Sequence, residues 1–144
     1  MELTPVFILY LEVMAMLIGE VSKKFNIGIE TLRYYDKIGL LIAKRKNNLR
    51  YYSEEDVKKL QNIMAMKEMM FSLEDIKRIL EIDERIDKGL ESNSINKKDI
   101  EILLNEVNQK RIEILKKEEE LKKVKNQLDK LMNKILKLKG DGDD

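Results

Sequence analysis

The stretch Gly28-Ile29-Glu30-Thr31-Leu32-Arg33-Tyr34-Tyr35-Asp36-Lys37-Ile38-Gly39-Leu40-Leu41 decides the fold of this chain. Leu32, Tyr35 and Ile38 recur three residues apart, so a short helix here buries one side and projects Thr31, Arg33, Tyr34 and Lys37 elsewhere. Cationic, hydroxyl-bearing and aromatic groups suit a phosphate backbone and base edges: guanidinium and ammonium neutralise phosphates, and Arg pairs with guanine through two hydrogen bonds. A solvated helix face is the alternative, which these few residues alone do not exclude. Upstream, Leu17, Ile18, Val21 and Phe25 carry the repeat of a small helix packed on one side. Asn26-Ile27-Gly28 breaks it, since Asn and Gly most readily take unusual backbone angles, and Gly28 falls near the N-cap of the following helix. The unit reads as helix-turn-helix.

Beyond Leu41, Ile42 to Lys46 and Leu49 to Tyr52 flank Asn47-Asn48, residues that tolerate the left-handed angles of a two-residue hairpin. This is the pattern of a wing. Arg45, Asn47 and Arg50 on it can donate to phosphate oxygens and fix register without reading sequence. Ser53 followed by Asp56 caps the next helix, whose core face is Val57, Leu60, Ile63, Met64 and Phe71; Met64, Met66, Met69 and Met70 are read as core rather than as an adaptable binding surface. Ser72 and Asp75 repeat the capping signal ahead of a stripe formed by Leu73, Ile76, Ile79 and Leu80.

Ile18-Gly19-Glu20-Val21, Thr31 to Asp36, Ile38 to Leu41, Arg50 to Asp56 and Phe71 to Ile76 together resemble the MerR family of bacterial transcription regulators. Five ordered blocks are far more specific than one short motif. The resemblance implies a DNA-facing set of Thr31, Arg33, Tyr34, Lys37, Arg45, Asn47, Arg50 and Lys58, double-stranded promoter DNA and RNA polymerase as partners, a homodimer joined by an antiparallel coil, and a cytoplasmic location. Gly28 replaces the family's usual Ser or Thr cap, Glu30 a basic or neutral residue, Ala43 a frequent proline and Leu49 a frequent aromatic.

The net charge of the 144 residues is only +1, but it is unevenly spread: positions 17–52 hold eight Lys and Arg against three Asp and Glu, and positions 53–96 hold seven against eleven. Segregation of basic from acidic residues is what a nucleic-acid footprint requires. With neither cysteine nor histidine, disulfides and thiolate or imidazole metal sites are excluded. Neither a cofactor nor a catalytic residue is expected. An enzyme is the least supported class, because the carboxylates show no pattern beyond caps and helix surface and no glycine-rich phosphate loop occurs.

Residues 1–16 form an apolar leader, but Glu2 and Glu12 interrupt a run short of the roughly 20 apolar residues of a membrane span, so membrane association is not expected. Gly89 to Asn96 is the best linker candidate. Beyond it Ile100, Val107, Ile114, Leu121, Leu128 and Ile135 lie seven apart, with Leu103, Val124, Leu131 and Leu138 three places on. That is a heptad seam, interrupted in its second row by Lys110 and Lys117. A helix over 97–138 cannot bury its own stripe and implies a partner helix; residues 139–144 form an acidic tail, leaving no room for a drug-binding domain after the coil.

The expected fold is mainly α: a winged helix-turn-helix DNA-binding domain over 17–90 with a small β-hairpin wing, a linker over 91–96 and a long coiled-coil dimerisation helix. A sequence-specific regulator on an inverted-repeat operator explains every part, whereas a coiled-coil adaptor explains only the last third. Because each family-like block follows Met16, a chain starting at Met16 should bind the same DNA with little loss. Unfolding of that truncation would place Val6 to Leu11 in the core, and membrane fractionation of the full chain would restore the anchor.

Overall fold

The computed structural model describes residues 15–141. Most of the leader and the last three residues of the acidic tail lie outside these. The elements are β1 (Met16–Leu17), α1 (Ile18–Phe25), α2 (Ile29–Lys37), β2 (Lys44–Lys46), β3 (Leu49–Tyr52), α3 (Glu54–Glu68), α4 (Leu73–Glu91) and α5 (Lys97–Asp141). They fall into two units divided after Glu81, inside α4. The division falls within α4 because Ile76 and Leu80 belong to the first core while Arg85 pairs with Asp99 of α5.

In the first unit, Val21, Leu32, Tyr35, Leu40, Leu41, Ala43, Tyr52, Leu60, Ile63, Phe71, Ile76 and Leu80 form one buried cluster. Ile18, Phe25, Ile38, Val57, Met64, Met66, Leu73 and Ile79 pack around it. Met69 and Met70 do not: both are more than half exposed, which corrects their reading as core. They fall in the turn that ends α3, where the chain leaves the periodic face.

A second correction concerns Leu17. It lies in a strand rather than in the first helix, since Met16 and Leu17 pair antiparallel with Tyr52 and Tyr51. The sheet has three strands in the order β1-β3-β2. A two-residue strand has no periodicity of its own and exists because β3 offers it a free edge. The hairpin is as expected: Asn47 and Asn48 both take positive φ, 52° and 64°, the requirement of a type I′ turn.

Between α1 and α2 the left-handed residue is Asn26, at φ 51°. Gly28 is the α2 N-cap in extended backbone that any residue adopts. The far end of α2 needs its glycine. Gly39 sits at φ +74°, while its N–H donates to Asp36 O at 3.1 Å and that of Leu40 to Tyr35 O at 2.9 Å. This is the Schellman arrangement, which satisfies carbonyls that a helix end leaves open. Lys77 Nζ, from α4, donates to Ile38 O at 3.1 Å and supplies a positive charge at the same terminus.

In the second unit, Arg85 clasps the buried Asp99 through Nε at 3.3 Å and Nη2 at 2.9 Å. That hydrogen bonding holds the Asp99 carboxyl below its ordinary value. A Cβ on Gly89 would meet Ser94 O at 2.7 Å, so the segment joining α4 to α5 is a close-packed turn. The 45 residues of α5 make a helix about 67 Å long at about 1.5 Å per residue. Among the described residues, no helix is long and apolar enough to cross a membrane.

The ends of α2 and α3 provide paired substitutions of opposite sign. Met70 ends α3 at φ 67°, with Phe71 N–H donating to Met66 O at 3.2 Å and Met70 N–H to Lys67 O at 2.9 Å, so it occupies the position that Gly39 occupies after α2. A side chain in left-handed backbone costs roughly 1–2 kcal/mol. Gly39→Ala should destabilise by about 1 kcal/mol or more, and Met70→Gly should stabilise by up to about 1 kcal/mol. Urea unfolding of each full-length variant checks both signs.

Candidate nucleic-acid interface

The outward face of α2 carries Arg33, Tyr34 and Lys37 exposed and Thr31 half-buried. Leu32 and Tyr35 are buried on the opposite side and set that orientation. Arg33 Nη1 pairs with Glu30 at 3.1 Å, with both side chains at least half exposed. Such a pair contributes little, so the guanidinium remains available to a stronger anion. Glu30 thereby has a local partner in addition to its favourable place at the helix N-terminus.

The wing stands beside this face through Asp36. Its carboxylate, 11% exposed, accepts from Arg50 Nε at 3.3 Å and lies 3.7 Å from Arg45 Nη2. Arg45 and Arg50 are directly opposed across the hairpin, a like-charge pairing that is destabilising without a counter-ion. Asp36 is that counter-ion, and it ties the last turn of α2 to both wing strands. Arg45, Asn47, Asn48 and Arg50 line a polar cleft of about 300 Å³. The structure thus brings Arg45, Asn47 and Arg50 together, while Lys58 is exposed on the second turn of α3.

At the root of the wing, the Ser53 hydroxyl accepts from Asp56 N–H at 3.2 Å, and Asp56 Oδ2 accepts from Ser53 N–H at 2.9 Å, a complete capping box. Lys44 Nζ donates to Asp56 Oδ2 at 2.9 Å and to Ser53 Oγ at 3.1 Å. Burial raises the Asp56 carboxyl, but donation from Lys44 and from the Ser53 backbone and hydroxyl outweighs it, so the group titrates below its ordinary value. The Tyr52 hydroxyl is pushed up, first by burial and then by the Asp36 charge.

Sequence reasoning missed Asp36 and Lys44. Asp36 lay inside the decisive stretch, yet its partners are nine and fourteen residues further on, and only the return of the hairpin brings them to it.

The seam residues are all on α5. Leu103 and Ile114 are half-buried, and Ile100, Val107, Leu121, Val124, Leu128, Leu131, Ile135 and Leu138 are exposed in the single chain. Lys110 and Lys117 both pair with Glu113, at 2.7 and 3.3 Å.

A helix-turn-helix with a basic wing and a long apolar-striped helix defines a winged-helix DNA-binding protein. The model of the MerR HTH family regulatory protein matches residues 16–82. The uncharacterized HTH-type transcriptional regulator YyaN of Bacillus subtilis (strain 168) is 38% identical over 121 residues, covering 78% of this chain and 87% of that one. Among solved structures, a MerR family transcriptional regulator from Bacillus cereus superposes with a TM-score of 0.63 at 29% identity, over 83% of this chain and 81% of that one. HiNmlR, a MerR family regulator lacking the sensor domain and bound to promoter DNA, gives 0.59 at 26%, over 80% and 88%. With other curated relatives the match is confined to part of each protein, between 24% and 58% of its length. The chain belongs to the MerR family. It is a DNA-binding transcription regulator of the MerR type.

The lowered Asp56 carboxyl makes the wing root sensitive to acid. Its contribution to stability is complete above the unfolded value of about 3.9 and is lost as pH falls through the lower folded value. Lys44→Met, which removes the donor, should be less stable than the parent at neutral pH, with the difference narrowing as pH falls below the unfolded value of about 3.9. Chemical unfolding of both proteins across that range measures it.

Proposed function

We propose that the chain acts in the cytoplasm as a homodimer joined through residues 97–138, each copy placing its 17–90 region on one half of an inverted-repeat promoter operator. On that operator Arg33, Tyr34, Lys37 and Thr31 face the major groove, and Arg45, Asn47, Arg50 and Lys58 face the flanking backbone. The dimer distorts the promoter so that RNA polymerase engages both of its elements. The observation that carries this reading is the exposed apolar seam of α5 on a chain whose other end bears a basic recognition helix and wing. The promoter DNA held by HiNmlR supports the choice of ligand.

The lysines in the seam favour an antiparallel pair. In a parallel, in-register coil Lys110 would face Lys110 and Lys117 would face Lys117, which is costly in a dry seam. Run antiparallel about residue 119, the two rows interleave completely: Leu103 faces Ile135, Lys110 faces Leu128, Lys117 faces Leu121, Val124 faces Ile114, Leu131 faces Val107 and Leu138 faces Ile100. Each lysine then meets a leucine, along which its stem can lie with the charge in water.

Sedimentation of the full chain at micromolar concentration should give a dimer; a monomer would overturn the reading. Deleting everything after Ser94 should give monomers that bind duplex DNA about 100-fold more weakly, since joined sites gain roughly 10²–10⁴ over single ones. With no native cysteine, strand direction is tested by crosslinking. An equimolar mixture of Leu103→Cys and Ile135→Cys chains should form the mixed disulfide, while Leu103→Cys alone should not crosslink to itself. Arg33→Ala should cost about 1–3 kcal/mol at one base pair, whereas loss of a phosphate contact weakens all sequences and flattens the salt slope by about one.

A further inference from the structure

The wing presents a charge arrangement that a simple basic patch would not need. Asp36 is a nearly buried carboxylate on the last turn of α2, set against the wing arginines, where its negative charge lowers the positive potential of the surface around it. A surface selected only for positive potential would carry a neutral residue there. Its contacts explain why it is kept: two arginines, Arg45 and Arg50, oppose one another across the hairpin, and the same oxygen, Asp36 Oδ2, meets Arg50 Nε at 3.3 Å and Arg45 Nη2 at 3.7 Å.

The choice of atom on Arg50 has a chemical consequence. An arginine held by Nε has its planar guanidinium fixed in rotation, with the terminal nitrogens left as a two-pronged donor, the geometry that matches two oxygens of one phosphate. Arg50 is 29% exposed and Arg45 63%, so the first is clamped and the second held more loosely. Asn47 and Asn48, both in left-handed backbone, close the polar cleft that the two arginines line.

We propose that Asp36 is a positioning residue for DNA binding: its carboxylate orients Arg50, and more loosely Arg45, so that the wing grips one backbone phosphate with a fixed guanidinium fork. This rests on the DNA-binding reading above and adds a residue of net unfavourable charge to it. A simpler role predicts the opposite result. If Asp36 only lowers the local potential, removing its charge tightens binding to every duplex, because one repulsive charge is gone. If it positions Arg50, removing its charge weakens binding.

The experiment uses the full chain and a duplex selected by it from a randomised pool, with affinity read by fluorescence anisotropy at several salt concentrations. Asp36→Asn should bind about tenfold more weakly with a flatter salt slope, the loss expected for a misplaced charged contact. In an Arg50→Ala background the same change should have less than about a twofold effect, since the group through which it acts is gone. Arg50→Lys keeps the charge but has neither the Nε anchor nor the fork, and should lose nearly as much as Arg50→Ala. That arm decides the matter even if Asp36→Asn does not fold. Equal or tighter binding by a folded Asp36→Asn, or parent-like binding by Arg50→Lys, overturns the proposal and leaves the DNA reading intact. If the parent itself binds no duplex in a salt-dependent manner, both fall together.

Discussion

A nine-residue helix has no stability of its own. Nucleation costs more than two turns of hydrogen bonds return, so isolated helices of that length are marginal in water. α2 must therefore be held from outside, and much of the first unit serves that end. Leu32 and Tyr35 anchor its inner face in the core, Gly39 closes its last turn, and Lys77 reaches from α4 to the carbonyl of Ile38. Rigidity at this point matters because reading a base edge depends on hydrogen-bond geometry, and a helix free to rock cannot choose between bases. The outward side chains gain a fixed address only because the inward ones have surrendered theirs.

The same logic extends to charge. A surface meant for polyanions gathers cations, and gathered cations repel each other. Here the repulsion is met locally by three carboxylates of different character. Glu30 and Arg33 share an exposed pair that solvent screens and an incoming phosphate can replace. Asp56 is capped into α3 and grips Lys44, so that cation anchors the wing root. Asp36 is the most buried of the three, and the arginines it holds still reach the surface. The basic face is a graded set, from cations committed to the fold to cations available for a ligand.

How much of this was legible in the sequence followed from how local the signal is. The three-residue recurrence in α2, the paired asparagines of the hairpin and the Ser53 with Asp56 cap are each contained within a few residues, and their geometry is dictated there. β1 was not legible, because two residues carry no period and the strand depends on Tyr51 and Tyr52 lying alongside. Nor were the exposed Met69 and Met70: a methionine at helical spacing says nothing of where the helix stops. In the candidate interface, residue types and order identified Arg33, Arg45 and Arg50, but the carboxylate that links two of them emerged only when the hairpin folded back on α2. For α5 the heptad positions are local and readable, while the direction of a partner helix is a property of two chains, accessible only through where the lysines would meet.

One lobe of this size is a poor reader by itself. A single recognition helix brings three or four side chains to base edges, each good contact discriminates by about 1–3 kcal/mol, and the sum competes against roughly 10⁶–10⁹ non-specific sites in a genome. Adding more basic residues would raise affinity for all of those sites together, since phosphate contacts carry no sequence information. Doubling the base contacts through a second, symmetric copy raises the discrimination instead, and it does so in proportion to how rigidly the copies are joined. A long seam on α5 and a close-packed turn at Gly89 and Ser94 suit that demand better than a flexible tether. In the proposed dimer, then, the coil is part of the reading of sequence, because it converts two weak and permissive contacts into one selective one.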